Sequence, residues 1–191
     1  METGLHFLMQ KTKSKISKTF VYQFESHFHI ESSTDNITLD FSDHKYLAKS
    51  SNFISDLKIE SIEIVHLKSH PSIVPSLYFD DNIKSKYLIT NTLSSKNILT
   101  DSSNDNKLKI VYSISKELNE FINKNKLDHS DKNYFTYLYD FLTEKVKKTK
   151  GLSFFVNLNN KSFDVIIFNG KEFIFFNSFE INNENEFLYY L

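Results

Sequence analysis

The chain has 191 residues and a formal net charge of −1, a balance that gives no long-range field for steering nucleic acid or an anionic membrane. It contains no arginine and no cysteine. Bidentate recognition of bases or phosphates, an arginine finger in cis, disulfides, thiolate catalysis and sulfur metal sites are therefore excluded.

With 40% hydrophobic and 15% aromatic residues, the chain is globular and long enough for one large domain or two small lobes. The opening Met1-Glu2-Thr3-Gly4-Leu5-His6-Phe7 lacks a basic region followed by a long apolar run, and no segment reaches the length of a membrane span. The expectation is a soluble, cytoplasmic protein without membrane insertion.

Leu5–Met9 and Thr19–His29 read as strands joined by the lysine-rich turn Lys11–Lys18. In the second strand Phe20, Tyr22, Phe24, Phe28 and Ile30 share one face, while Gln23, Glu25, His27, His29 and Glu31 share the other. Asn36–Phe41 adds a further strand. Tyr46–Leu57 places Tyr46, Leu47, Phe53, Ile54 and Leu57 on one helical stripe, and Ser61–Leu67 follows as a nearly continuous apolar strand. Strand, helix and strand in this order predict an α/β layer.

After Pro71, the run Ile73-Val74-Pro75-Ser76-Leu77-Tyr78-Phe79 reads as an extended piece entering a helix at Pro75, and Ile83–Leu88 as a further helical turn or two. Asp101–Lys107 is a polar, solvated loop, and Leu108–Tyr112 is a strand. Ser115 can cap a helix that buries Leu118, Phe121 and Ile122. Lys132–Lys148, opened by Ser130-Asp131, is the clearest helix: Tyr134, Leu138, Phe141, Leu142 and Val146 line one stripe. Its closing lysines 145, 147, 148 and 150 suit the negative end of a helix dipole, with Gly151 at the C′ position.

Gly151–Phe179 reads as three consecutive strands. Asn169-Gly170 supplies the positive φ of a type I′ turn that pairs Phe163–Phe168 with Glu172–Phe176. The turn before it, Asn157–Ser162, is polar enough to meet a phosphate but contains no glycine, and the first carboxylate after it is Asp164. The three glycines, Gly4, Gly151 and Gly170, are too far apart for any glycine-rich phosphate loop.

His27-x-His29, with Glu25 and Glu31 on the same face, is the spacing of some sheet metal sites; a polar outer face is the plainer account and the expectation is that no metal is held. His66 and His70 read as a strand-end pair, and Asp40, Asp43 and His44 as turn residues. No serine has the G-x-S-x-G context of a nucleophile elbow.

On Gly4-Leu5-His6-Phe7, Ile73–Phe79, Ile110–Ile114, Phe155–Phe168, Phe175–Phe179 and Glu186–Leu191, the chain resembles the bacterial family of domain of unknown function 3822, and more distantly the actin-like pilus-assembly ATPases. The resemblance implies an α/β, actin-like ATPase (ribonuclease H-like) topology. It implies a strand-rich first lobe over 1–70, a connecting segment over 71–130 and the start of a second lobe over 131–191. It also implies that the chain starts partway through its first strand and stops inside a helix over Asn182–Leu191, as a shortened product would.

In actin-like ATPases a strand ending in Asp-x-Gly leads into a hairpin whose amides hold phosphate and whose Asp positions magnesium-bound water. Here the resemblance puts Asn157 at the Asp and Asn159 at the Gly, and asparagine cannot act as a base. The candidate phosphate loop is thus Asn157, Asn159, Asn160, Lys161, Ser162 and Asp164, with ATP and magnesium as the ligand it would take. The expectation is a non-catalytic or weakly nucleotide-binding protein that works through an unknown protein partner, with self-association a second route. An active ATPase using Asp164 with Lys161, and a shortened product without function, are the alternatives.

Overall fold

The computed structural model of the chain describes residues 18–67, 71–88, 97–158 and 162–181, together with Glu186. They fall into two compact units, residues 18–137 and residues 138–181 with Glu186. The expected strand Leu5–Met9, His70 and all of Asn182–Leu191 except Glu186 lie outside the described residues.

In the larger unit β1 (Thr19–Gln23), β2 (His27–Glu31) and β3 (Asn36–Asp40) form an antiparallel meander, and β4 (Ser61–His66) joins β1 in parallel. The expected single strand Thr19–His29 is instead a hairpin. The chain reverses at Phe24–Ser26, where the Phe24 N–H donates to the His27 carbonyl at 3.0 Å. Val21 then faces Ile30 and Gln23 faces Phe28, so Phe28 and Ile30 share a face with Val21, while Phe20 and Tyr22 share the opposite one with His29 and Glu31. The alternation misleads because it runs unbroken through the turn.

Helices α1 (Tyr46–Asp56) and α2 (Lys116–Asn125) supply Tyr46, Ile54, Leu118 and Phe121 to the core that buries Val21, Phe28, Ile30, Leu39, Ile62 and Ile64. Ser115 caps α2 as its sequence position predicts, its hydroxyl accepting from the Leu118 N–H at 3.1 Å. The Phe28 and Phe121 rings lie 5.3 Å apart and both side chains are fully buried. Phe121→Ala is expected to cost about 3–5 kcal/mol, read as a lower urea midpoint at unchanged m-value.

Between β4 and α2 lies an inserted antiparallel sheet, order β5-β7-β6, of β5 (Ser72–Pro75), β6 (Ile98–Ser102) and β7 (Leu108–Ser113). The expected loop Asp101–Lys107 is shorter than its polarity suggests. Asp101 and Ser102 end β6, and the Ser103 hydroxyl is buried against the Leu108 N–H at 3.0 Å.

The five-stranded sheet, order β3-β2-β1-β4-β8, is closed by β8 (Asp128–Asn133), parallel to β4. This strand takes the residues expected to open the long helix, so α3 begins at Tyr134 and runs to Val146. Asp-His-Ser-Asp-Lys-Asn has no apolar side chain, and β8 exists because an edge strand needs only backbone pairing on one side.

In the smaller unit β9 (Leu152–Leu158), β10 (Ser162–Asn169) and β11 (Glu172–Glu180) form an antiparallel sheet, order β11-β10-β9. Tyr139 stacks on Phe168 at 6.0 Å and meets Phe173 edge-on at 5.5 Å. The expected hairpin forms, but its turn residues are Gly170-Lys171, with Asn169 still paired to Glu172. Only Gly170 takes positive φ, +58°. A glycine first and a non-glycine second is the type II′ arrangement, not I′.

Candidate functional site

Open α/β sheets bind their ligands outside the carboxyl ends of parallel strands. In the larger unit β1, β4 and β8 end in register on Gln23, His66 and Asn133, all three buried. His66 Nε2 lies 2.8 Å from Asp131 Oδ1 and Nδ1 lies 3.0 Å from Gln23 Oε1. His129 Nε2 stands 3.6 Å from the other oxygen of Asp131.

The inserted sheet closes this end. The Tyr112 ring packs 4.9 Å from the His66 ring, and its hydroxyl donates to Asp101 Oδ1 at 2.9 Å. Asp101 Oδ2 accepts from the Asn133 N–H at 2.6 Å and from the Thr136 hydroxyl at 2.8 Å. Burial pushes the Asp101 carboxyl above the ordinary carboxylate range, more than these hydrogen bonds and Lys132 pull it down. Burial likewise raises the Tyr112 hydroxyl, and the Asp101 charge adds to it. A carboxylate held by donors at the first turn of α3 sits where an anionic ligand would be held by a helix start. Here the protein supplies that anion from its own chain.

The corner predicted to meet phosphate lies in the smaller unit. Asn157 on β9 and Asp164 on β10 are register partners, and the Asn157 Nδ2 donates to Asp164 Oδ2 at 2.9 Å. Both side chains are buried, and Asn157 Oδ1 has no hydrogen-bond partner. Ser162 opens β10 opposite Glu180, half-buried. Asn159, Asn160 and Lys161 lie outside the described residues.

The other sequence candidates resolve into local roles. His27 and His29 share a face of β2, and their Nδ1 atoms meet the Ser26 hydroxyl at 3.3 Å and the Thr38 hydroxyl at 2.9 Å. Among the described residues no group of three or more His, Asp or Glu is placed to hold a metal ion. Asp40 accepts from the Ser42 N–H and hydroxyl, and Asp43 from the Lys45 N–H and Lys49 Nζ. These bonds hold both carboxyls below their ordinary range. Among the described residues no helix is long and apolar enough to cross a membrane.

The model of the family described as protein of unknown function (DUF3822) matches residues 1–191. The chain belongs to that family. A crystal structure of a Bacteroides thetaiotaomicron VPI-5482 protein with actin-like ATPase fold and unknown function matches this DUF3822 chain with a TM-score of 0.73 at 17% identity. The match covers 94% of this chain and 76% of that one. The fold is therefore the α/β, actin-like ATPase fold.

Two further matches are weaker. A PilM–PilN type IV pilus biogenesis complex gives a TM-score of 0.49 at 5% identity, over 87% of this chain and 62% of that one. The cytoplasmic domain of EpsL, an inner-membrane component of the Vibrio cholerae type II secretion system, gives 0.40 at 7%, over 85% and 69%. No curated protein sequence matches the DUF3822 chain.

Sequence reasoning missed the cluster at the carboxyl ends of β1, β4 and β8. Gln23, His66, Asp101, Tyr112, Asp131, Asn133 and Thr136 come from segments more than a hundred residues apart, and Asp101 read as part of a loop. The one available signal was a polar residue closing each of two mainly apolar runs, Gln23 after Phe20–Tyr22 and His66 after Ile64-Val65.

Proposed function

We propose that this DUF3822 chain is a non-catalytic, at most weakly nucleotide-binding member of the actin-like fold that acts through contact with another protein. The observation that carries the reading is the buried pair Asn157–Asp164, 2.9 Å apart. At the position that the family resemblance aligns with a water-positioning carboxylate stands an amide, which can neither accept a proton nor bind magnesium as a charged ligand.

The carboxylate nearest to it, Asp164, is 1% exposed and spends one oxygen on that amide. This weighs against the competing reading of an ATPase built on Asp164. The closed carboxyl end of the larger unit, filled by Asp101 and Tyr112, supports the same view. Exposed apolar side chains favour protein contact: Leu77 and Tyr78 on a 3-10 turn, and Leu152 and Phe154 on β9, since apolar surface grouped in this way marks interaction sites.

Titration calorimetry with MgATP, run beside a phosphate-release assay, tests the reading. The expected result is no saturable heat at micromolar nucleotide and no phosphate release above buffer. Micromolar binding with steady turnover, abolished in Asp164→Asn, retires it in favour of the ATPase.

A further inference from the structure

Asn169 is the one asparagine in the chain that a glycine follows. An asparagine side chain can close on the backbone nitrogen of the next residue, and glycine offers that nitrogen without a Cβ to crowd the approach. The pair stands at the turn between β10 and β11, with Gly170 at φ +58°. What the fold does with the attacking nitrogen decides whether this chemistry runs.

The fold occupies it. The Gly170 N–H donates to the Gly151 carbonyl at 2.7 Å, the shortest backbone hydrogen bond made in any turn or loop of the described residues. Asn169 is held as well, because it ends β10 with a partner on either side, Leu152 of β9 and Glu172 of β11. Ring closure requires Asn169 to leave its extended backbone conformation, and pairing on both sides opposes that rotation.

We propose that Asn169-Gly170 is a self-modification site latched by the bond from Gly170 to Gly151: it stays an amide while β9 and β10 are paired, and converts to aspartate and isoaspartate once they come apart. In the open state the Gly170 nitrogen gives up its proton and bonds to Asn169 Cγ, the Cγ–Nδ2 bond breaks, and ammonia leaves with that proton. Water then adds across one C–N bond of the cyclic imide. Cleavage at Cγ leaves aspartate in an ordinary chain, and cleavage at the main-chain carbonyl leaves isoaspartate with one more methylene in the backbone.

Neither product restores the latch. Aspartate sets a carboxylate opposite Glu172, its register partner, and like charges directly opposite one another destabilise an antiparallel pair. Isoaspartate lengthens the backbone at the turn, so residue 169 and the Gly170 N–H cannot both keep their partners beside β9. Loss of ammonia makes the change one-way, and the converted fraction records how long the hairpin has spent undocked. The inference is independent of the reading by protein contact.

The test incubates the full chain at one pH and temperature when folded, in urea below its midpoint, and fully unfolded, and follows residue 169 by peptide mapping with mass spectrometry. An amide turned carboxylate is heavier, and isoaspartate elutes apart from aspartate. Asn169 should convert first among the asparagines of the unfolded chain, and at least about tenfold more slowly in the folded protein. Below the midpoint its rate should rise in step with hydrogen exchange of the Gly170 amide, since both need the same opening. Asn169→Gln, whose longer side chain closes its ring slowly, should stay intact throughout. Converted protein, separated by its added charge, should exchange the Gly170 amide faster than the parent. Glu172→Gln should restore most of that protection to the aspartate form and none to the isoaspartate form.

Equal conversion in folded and unfolded protein would mean that the bond latches nothing. Conversion that ignores Gly170 exchange, another asparagine reacting first in the unfolded chain, or products that exchange no faster than the parent would each overturn the proposal as well.

Discussion

Asn157→Asp is expected to lower stability by roughly 3–4 kcal/mol at neutral pH, to recover it in acid, and to install no ATP turnover. The substitution is nearly isosteric, so packing is not the cause. It sets a second carboxyl group against Asp164 at the 2.9 Å now spanned by an N–H donor. At an effective dielectric of ~20, two unit charges about 3 Å apart repel by about 5–6 kcal/mol. The folded variant avoids this by keeping one shared proton, which raises the folded pKa of the pair above its unfolded value.

The sign of the pH dependence follows. A raised folded pKa gives stability that is complete below the unfolded value and is lost as pH rises through the folded one. The deficit against wild type should therefore be largest at neutral pH and close as pH falls toward ~4. Urea unfolding of both proteins across that range measures it. Equal stability at every pH would mean that water reaches the pair. Phosphate release from the variant would mean that the fold needs only the missing carboxylate to become an ATPase, and the proposed function would fall.

Asp101→Ala should be the most damaging change of a polar side chain in the larger unit, about 3 kcal/mol or a fall of about 6–12 °C in Tm. It strips the acceptor from three donors at once: the Tyr112 hydroxyl, the Asn133 N–H and the Thr136 hydroxyl. Asp101→Asn keeps one acceptor oxygen and should cost less. The two variants also differ in pH behaviour. Because burial raises the Asp101 carboxyl above its ordinary value of 3.8, the wild type gains stability relative to Asp101→Asn as pH falls through the raised value and levels off below 3.8. Thermal melts of wild type and both variants from neutral to acid pH read out both effects. A flat difference between wild type and Asp101→Asn would show that the carboxylate is solvated, and the carboxyl end of the sheet open.

The elements that sequence alone revealed are those whose side chains report their surroundings. Ser115 has the one residue type and spacing that caps a helix over Leu118, and Asn36–Asp40, Ser61–His66 and Leu108–Ser113 alternate or run apolar as half-buried and buried strands do. What stayed hidden is what backbone pairing or distant chemistry decides. β8 has no apolar residue and is a strand only because β4 offers it carbonyls and N–H groups. The break between β1 and β2 is invisible because Phe24 and Phe28 keep the period of a single strand. Asp101 looks like a turn residue until folding brings Tyr112, Asn133 and Thr136 around it. At the corner, Asn157 and Asp164 were each legible as members of a candidate loop through the family resemblance, but that they pair across β9 and β10 was not. Nor was the orphaned oxygen on Asn157.

The order of the five-stranded sheet has a consequence during synthesis. Its first three strands leave the ribosome early, carrying Val21, Phe28, Ile30 and Leu39, yet the helix that caps them brings Leu118 and Phe121 much later. The roughly 80 residues from Leu39 to Phe121 take about 4–16 s to translate at typical rates. For that interval α1 can cover the face only in part, through Tyr46 and Ile54, and the apolar surface that Leu118 and Phe121 will bury stays exposed on the nascent meander.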